Sequence, residues 1–225
     1  MHCRTGPDRV SKVVKMKTYE FGDPDTKIVL IQPVDDHDLI GIKNEAEYIE
    51  RNSGAGFHLI AVKIDDWNHD LSPWNAPAVF GNEDFGCGAK DTLNGIIGLC
   101  ADPQRTYYIG GYSLAGLFAL WAAFQTDRFS GAAAASPSMW FPGFIEYMKT
   151  HEIRTDSVYL SLGNREERTR NPVMATVGDR IREAYDLLKV NGTNCTLEWN
   201  EGNHFKDADV RTAKAFTWLL NHRSR

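Results

Sequence analysis

Short apolar runs alternate with segments of helical periodicity along the whole chain. Lys27–Gln32 is apolar on both faces, which is typical of a strand buried inside a sheet. Further strands are predicted at Val13–Phe21 (an alternating edge strand), Phe57–Ile64, Arg105–Ile109, Gly131–Ala135, Ser157–Leu162 and Cys195–Asn200. Helices are predicted at Ile40–Arg51, Lys90–Ala101, Leu114–Gln125, Val173–Val190 and Asp207–Asn221. This alternation predicts an α/β protein with a mostly parallel central sheet and helices on both faces.

The length of 225 residues predicts a single domain over residues 1–225, because one α/β domain commonly reaches this size. No repeat or linker interrupts the pattern. In a parallel sheet with right-handed crossovers, ligand chemistry lies at the carboxyl ends of the strands. The residues that directly follow each predicted strand are therefore the first place to look for reactive side chains.

Composition narrows the function classes. An apolar share of 42% supports a sizeable core and excludes disorder, and the net charge of −5 argues against a nucleic-acid partner. No apolar stretch is long enough to span a membrane and no export signal is evident, so we expect a cytoplasmic protein with no membrane partner. The cysteines are not spaced for a metal or a disulfide framework, and we expect reduced thiols and no metal site. They are Cys3, Cys87, Cys100 and Cys195.

A nucleophile candidate lies between a predicted strand and a predicted helix. Ser113 is at the apex of Gly111-Tyr-Ser-Leu-Ala115, a variant of the G-x-S-x-G elbow with alanine in the last place. The residues two before and two after such a serine nearly touch, so both must be small. The turn also points the N–H of Leu114, at a helix N-terminus, toward a developing oxyanion. The alternative is a glycine-rich turn whose serine merely caps the helix.

His204 is the candidate general base. It lies in the polar loop Glu201–Phe205, after the last strand and before the last helix, from where an imidazole reaches the serine oxygen. His37 and His69 also lie in loops near the same edge of the sheet. A structural role for His204 remains the alternative reading.

A carboxylate should lie between the serine and the histidine along the chain, after a strand, to orient the imidazole. Gly163–Glu167 follows a predicted strand and offers two candidates. Glu166 is preferred because it needs only a short turn, and Glu167 would need a longer one. The order serine, acid, histidine is that of α/β-hydrolases.

Four segments together resemble a known group of enzymes. They are Gly110–Gly116, Ala134–Trp140, Leu162–Glu167 and Gly202–His204. They are similar to the α/β-hydrolase family that includes enterochelin esterases, feruloyl esterases and esterase-D-like S-formylglutathione hydrolases. The similarity extends from about Lys27 to Leu220.

This resemblance implies the α/β-hydrolase fold and ester hydrolysis through an acyl-enzyme, with no cofactor. Ser113 would attack the ester, with His204 as base and Glu166 as the orienting acid. The family commonly has a glycine in the turn that donates the second oxyanion N–H, whereas this chain reads Gln32-Pro-Val-Asp-Asp36. Proline has no N–H to donate, so Val34 is the expected donor, with Asp35 next.

The segment from Asp65 to Gly88 is too long and too aromatic for a simple connection. Trp67, Trp74 and Trp140 are candidates for an apolar substrate pocket, and Asp70 for a contact with a substrate hydroxyl. The alternative is a loop folded back on itself, with its tryptophans covering the sheet.

The leading hypothesis is a small serine carboxylesterase whose partner is a small-molecule ester. A thioesterase or acyltransferase with the same nucleophile is the second hypothesis. A catalytically inactive α/β-hydrolase that serves as a binding module is the third, because the Gln32-Pro33 turn is unusual. The sequence leaves the oligomeric state open, a homo-oligomer included.

Overall fold

A seven-stranded sheet forms the centre of the computed structural model, which describes residues 16–223. The strand order is β1-β3-β2-β4-β5-β6-β7, and every strand is parallel to its neighbours except β1, which is antiparallel to β3. The strands are β1 (Thr18–Gly22), β2 (Ile28–Val34), β3 (His58–Lys63), β4 (Thr106–Tyr112), β5 (Phe129–Ala135), β6 (Ser157–Gly163) and β7 (Asn194–Asn200). The helices are α1 (Asp38–Ser53), α2 (Trp67–Asp70), α3 (Ala89–Leu99), α4 (Ser113–Gln125), α5 (Phe144–Thr150), α6 (Val177–Val190) and α7 (Ala208–Asn221).

Two hydrophobic layers cover the sheet because its strands are apolar on both faces. Val29 and Ile31 of β2 lie in the layer that contains α3, α4 and α6. Leu30, between them, lies in the opposite layer with α1 and α7. Successive side chains of a strand point to opposite faces, so the uninterrupted apolar run of β2 needs helices on both sides. The predicted fold class, a mostly parallel sheet between two helical layers, is confirmed.

The structure differs from the predicted elements in three places. Helix α5 was not predicted, and a short helix, α2, lies inside the predicted loop Asp65–Gly88. The predicted helix Val173–Val190 is a 3-10 turn at Met174–Thr176 followed by α6. The edge strand is confirmed at β1, and the beginning of its predicted range, Val13, lies outside the described residues.

The prediction of four reduced thiols is wrong for one cysteine. Cys87 is disulfide-bonded, whereas Cys100 and Cys195 are free and buried. Spacing along the chain carries no information about which distant cysteines meet in the fold, so this pairing was not visible in the sequence. Among the helices of residues 16–223, none has the length and apolar character needed to cross a bilayer.

Candidate active site

The turn between β4 and α4 holds Ser113 in a left-handed backbone conformation, with φ of 57°. A non-glycine residue rarely adopts this conformation, and its strain is typical of functional turns. A Cβ built on Gly111 would lie 2.6 Å from Cβ of Ala115. The close approach of strand and helix predicted from the sequence is therefore present, and alanine is small enough for the last position.

The structure brings the imidazole of His204 to the serine. His204 Nε2 lies 3.0 Å from Ser113 Oγ, and the side chain is only 28% exposed. His204 belongs to the loop between β7 and α7, as predicted. The hydroxyl of Tyr112, which precedes the serine, donates a hydrogen bond of 2.8 Å to the carbonyl oxygen of His204. This bond ties the histidine loop to the strand that carries the nucleophile.

Glu166 completes a continuous hydrogen-bonded row. Its Oε2 lies 2.7 Å from His204 Nδ1, and its side chain is 4% exposed. Glu167, the alternative, is 36% exposed and pairs with Arg182 at 3.2 Å. The short turn after β6 therefore places Glu166 at the imidazole, and Glu167 belongs to the surface.

The other carboxylate oxygen of Glu166 is equally well bonded. Oε1 accepts hydrogen bonds from Gly163 N (2.7 Å), Ser136 Oγ (2.8 Å) and Arg211 Nη1 (2.8 Å). A Cβ on Gly163 would lie 2.8 Å from this oxygen, so the glycine makes room for it. Burial raises the pKa of the Glu166 carboxyl, but the bonds from His204, Gly163 and Ser136 outweigh it and hold the pKa below its usual value.

Four side chains around the row were not identified from the sequence. Tyr112, Ser136 and Arg211 surround Glu166 and the histidine loop, and Ser138 Oγ lies 3.3 Å from Ser113 Oγ. Ser136 also has a left-handed conformation, with φ of 41°. One signal was available: Arg211 occupies a buried position on an otherwise apolar stripe of α7, shortly after His204. A lone charge on such a stripe requires a buried partner.

The oxyanion donors predicted from the sequence are backbone amides beside the serine turn. Leu114 is the second residue of α4, so its N–H is among the first four of the helix, which have no partner within the helix. The carbonyl of Val34 accepts from Ile64 N at 2.9 Å, so the peptide groups of Val34 face β3. Because consecutive residues of a strand alternate in direction, the N–H of Asp35 faces β4 and the serine turn. The Asp35 N–H also donates to Asp38 Oδ2 at 3.3 Å. Val34 as the second oxyanion donor, with Asp35 next, stays a prediction.

Aromatic side chains of the Asp65–Gly88 loop pack in one continuous cluster, in which Phe85 and Phe141 connect Trp74 to Trp140. Trp74 packs against Phe144 and Tyr147 of α5, and its indole N–H donates to Pro142 O at 2.9 Å. Trp140 packs against Phe80, with ring centroids 5.9 Å apart. Trp140 also lies two residues after Ser138, which contacts the nucleophile.

The four predicted substrate-binding residues have different surroundings. Trp140 is linked to the serine along the chain through Ser138, whereas the contacts of Trp74 with α5 and Pro142 are those of a loop folded back on the protein. Trp67 is partly buried against the core, and Asp70 pairs with His69 at 2.9 Å. A substrate-binding role for all four stays a prediction.

The remaining histidine candidates lie elsewhere. His37 precedes α1, and His69 lies in α2. Within residues 16–223, no group of three histidine, cysteine, aspartate or glutamate side chains is arranged to hold a metal ion. The chemistry that the described side chains can perform is activation of a hydroxyl by an imidazole that a buried carboxylate orients.

No protein-family model matches the chain, and no curated protein sequence matches it. Solved structures do. An IroE-like serine hydrolase from Shewanella oneidensis has a TM-score of 0.74 and 15% identity, over 93% of this chain and 78% of that one. The Bacillus cereus carboxylesterase has a TM-score of 0.60 and 15% identity, over 92% and 95% of the two chains.

The chain has the α/β-hydrolase fold. The enterochelin esterase from Shigella flexneri is a further neighbour, with a TM-score of 0.60 and 17% identity over 90% of this chain. The aligned region covers about half of that enzyme, 54% of its length. The resemblance seen in the motifs is thus confirmed at the level of the fold.

Proposed function

We propose that this α/β-hydrolase is a serine carboxylic-ester hydrolase that acts through an acyl-enzyme on Ser113. The observation that carries the proposal is the unbroken row Ser113 Oγ, His204 Nε2, His204 Nδ1 and Glu166 Oε2, with separations of 3.0 and 2.7 Å across its two hydrogen bonds. Nucleophile and base lie within hydrogen-bond reach, and a third group orients the base. The classes of the structural neighbours, serine hydrolase and carboxylesterase, support the same reaction.

In the acylation step, Ser113 Oγ attacks the ester carbonyl while His204 Nε2 takes the hydroxyl proton. Glu166 keeps the proton on Nδ1, so Nε2 is free to accept, and its carboxylate stabilises the imidazolium that forms. His204 then returns the proton to the leaving alcohol as the C–O bond breaks, which leaves the acyl group on Ser113.

Deacylation repeats these transfers with water. His204 removes a proton from a water molecule, whose oxygen attacks the acyl carbonyl. The Ser113–acyl bond breaks, Oγ takes the proton back from the imidazolium, and the carboxylic acid leaves. In both steps the oxyanion of the tetrahedral intermediate would accept hydrogen bonds from Leu114 N–H and from a second backbone N–H, for which Asp35 is the candidate once its amide exchanges its bond to Asp38 Oδ2 for the oxyanion. One such donor supplies on the order of 3 kcal/mol of transition-state stabilisation.

The substrate that best fits the site is a small ester with an apolar or aromatic acyl group. Trp140 packs on Phe80 and lies two residues after Ser138, whose hydroxyl contacts Ser113, and Phe205, next to the base in sequence, is 88% exposed. Apolar walls with a few convergent polar groups are typical of small-molecule sites. Acyl preference would then depend on Trp140, and Trp140→Ala should shift it toward longer chains.

The test compares wild type with Ser113→Ala on p-nitrophenyl acetate and butyrate. We expect wild type to turn both over and the variant to lose turnover. A fluorophosphonate probe should label wild type, and peptide mapping should locate the label on Ser113. The proposal fails if wild type and variant hydrolyse the esters equally, or if the label is on another residue.

The same experiment separates the other hypotheses. Faster cleavage of acyl-CoA or S-formylglutathione than of oxygen esters would indicate a thioesterase, and no turnover or labelling would indicate a binding module. The cytoplasmic location and the oligomeric state stay predictions. The disulfide at Cys87 weighs against the cytoplasm, because disulfides are typical of oxidising compartments.

A further inference from the structure

Arg211 is the most buried charged side chain near the candidate active site, with 2% of its side chain exposed. It extends from α7 toward Glu166 and the histidine loop; Ser113, His204 and Glu166 are called the triad below. Its Nη1 donates to Glu166 Oε1 (2.8 Å), Tyr112 Oη (3.1 Å) and Ser136 Oγ (3.2 Å). Its Nη2 donates to the backbone carbonyl oxygens of Glu201 (3.1 Å) and Asn203 (3.0 Å).

These acceptors belong to every segment that builds the triad. Tyr112 precedes the nucleophile, Ser136 directly follows β5, and Glu166 is the acid. The two carbonyls belong to the loop that carries His204, and the Tyr112 hydroxyl in turn donates to the carbonyl of His204 itself. One planar guanidinium is therefore bonded to the acid, to the strand of the nucleophile and to the loop of the base.

A role limited to neutralising a buried carboxylate would not require this arrangement. Neutralisation needs one contact, between Arg211 Nη1 and Glu166 Oε1. The two bonds of Nη2 go to neutral carbonyl oxygens, and they hold the backbone of the histidine loop. A guanidinium supplies several donors in a rigid fork, whereas a lysine ammonium is a single point with a flexible stem.

We propose that Arg211 is a positioning residue that sets the distance between His204 and Ser113 by holding the acid and the histidine loop on one rigid group. The inference rests on the proposed function, in which His204 is the base. Arg211 acts through Glu166 and the loop and does not touch the substrate. Catalysis depends steeply on such placement, because a displacement of about 1 Å can cost about a hundredfold in rate.

Arg211→Lys tests the geometry while it keeps the charge. We expect its kcat to fall about tenfold with KM close to the wild-type value, because misplacement of the base affects the transition state and not the bound substrate. In the profile of kcat/KM against pH, the acid limb (the fall in kcat/KM at low pH) should lie at the same pH as in wild type. In Arg211→Met the limb should move to higher pH, because the uncompensated Glu166 carboxylate then stabilises the protonated imidazole more strongly.

Tyr112→Phe is a milder variant, which guards against a failure to fold. It removes the hydroxyl that links Arg211 to the His204 carbonyl and leaves both charges in place. Tyr159→Phe is the matched control, because Tyr159 is buried in the same hydrophobic layer as Tyr112 and its hydroxyl donates to Glu198 of β7 at 2.7 Å, with no hydrogen bond to Arg211. We expect Tyr112→Phe to lower kcat about threefold and the control to leave it unchanged, with thermal melts recorded for each.

Proton NMR gives a measurement that does not depend on turnover. The signal to follow is the low-field resonance of His204 Nδ1–H, the proton between His204 and Glu166. It should shift in Arg211→Lys and in Tyr112→Phe but not in the Tyr159→Phe control. Unchanged kcat in both variants of an active wild type, or an unchanged resonance in both, would overturn the inference. A wild type that neither hydrolyses esters nor reacts with the fluorophosphonate would overturn the proposed function, and the resonance would still decide the role of Arg211.

Discussion

Gly111 and Ala115 face each other so closely that a Cβ added to the glycine would lie 2.6 Å from the alanine Cβ. Carbon atoms that are not bonded to each other pack at about 3.5–4.0 Å, so strand β4 and helix α4 would have to separate to admit the methyl group. Ser113 lies between these two residues, and any separation moves its hydroxyl away from His204.

Gly111→Ala should therefore reduce both activity and stability. We expect a loss of about 1–3 kcal/mol in the free energy of unfolding, as for other overpacked sites, together with slower fluorophosphonate labelling. Urea denaturation and labelling rates measure the two effects. Gly98→Ala is the control, because nothing lies within 4 Å of its added Cβ and alanine favours helix α3. A Gly111→Ala protein as stable and as reactive as this control would contradict the close-approach argument.

The two neighbouring glutamates should behave very differently. Glu166→Gln should lower kcat by at least about a hundredfold, because the amide no longer stabilises the imidazolium and no longer enforces the required tautomer. Glu167→Gln removes only a surface contact with Arg182 and should leave kcat within about twofold, as is usual for exposed pairs. Steady-state kinetics on one ester is sufficient, and a larger loss in Glu167→Gln would reassign the acid.

The second oxyanion donor can be tested by removing a backbone N–H. Asp35→Pro deletes the Asp35 N–H, which donates to Asp38 Oδ2 at 3.3 Å in the structure, and we expect a fall of about a hundredfold in kcat with a small effect on KM. The side chain of Asp35 also accepts a bond from Asp38 N at 2.8 Å, and Asp35→Ala removes that bond but keeps the N–H.

The comparison of these two variants separates the roles of the amide and of the side chain. Equal kcat values in Asp35→Pro and Asp35→Ala would return the assignment to Val34 or to a donor outside this turn. Thermal melts of both variants establish that α1 still begins at the same place.

Glu45 of α1 gives the fold a pH dependence that is unrelated to the triad. Burial raises the pKa of its carboxyl well above the usual 4.5, although a hydrogen bond from Gln32 opposes the shift. The folded protein therefore keeps a proton that the unfolded chain loses. Stability must fall as pH rises from about 4.5 through the folded-state pKa, by at most about 1.4 kcal/mol per pH unit.

Glu45→Gln removes this titration and should gain stability relative to wild type as pH rises. Urea denaturation at pH 4.5, 6 and 7.5 measures the difference between the two proteins. Glu47→Gln, exposed on the same helix, is the control and should follow wild type at every pH. A Glu45→Gln difference that does not change with pH would mean that the wild-type carboxyl is ionised when folded.

The sequence predicted the sheet and the row of reactive groups because both depend on local patterns. Apolar runs such as Lys27–Gln32 have no alternative to burial, and Ser113, Glu166 and His204 each directly follow a strand. Ser136 was missed because its partner Glu166 is 30 residues distant along the chain and no local pattern encodes that contact. For Arg211 the stripe of α7 signals a buried charge, but not that its partner is Glu166, 45 residues away.

The oxyanion turn shows the same limit on a smaller scale. Val34 and Asp35 are adjacent in sequence, and the choice between them depends on which side of β2 each amide faces. That direction follows from the pairing of β2 with β3, which the sequence does not specify. Helix α5 was missed for another reason: its seven residues are too few to show a helical period.

The guanidinium beneath the triad ties together parts of the chain from Tyr112 to Arg211, almost half of its length. A fragment that ends before Arg211 lacks the side chain that bonds Glu166, Tyr112 and the histidine loop. Ester turnover should then return during refolding only in the final cooperative phase, in step with burial of Arg211. Ester hydrolysis would then be a measure of complete folding, and nascent or truncated chains would not hydrolyse esters.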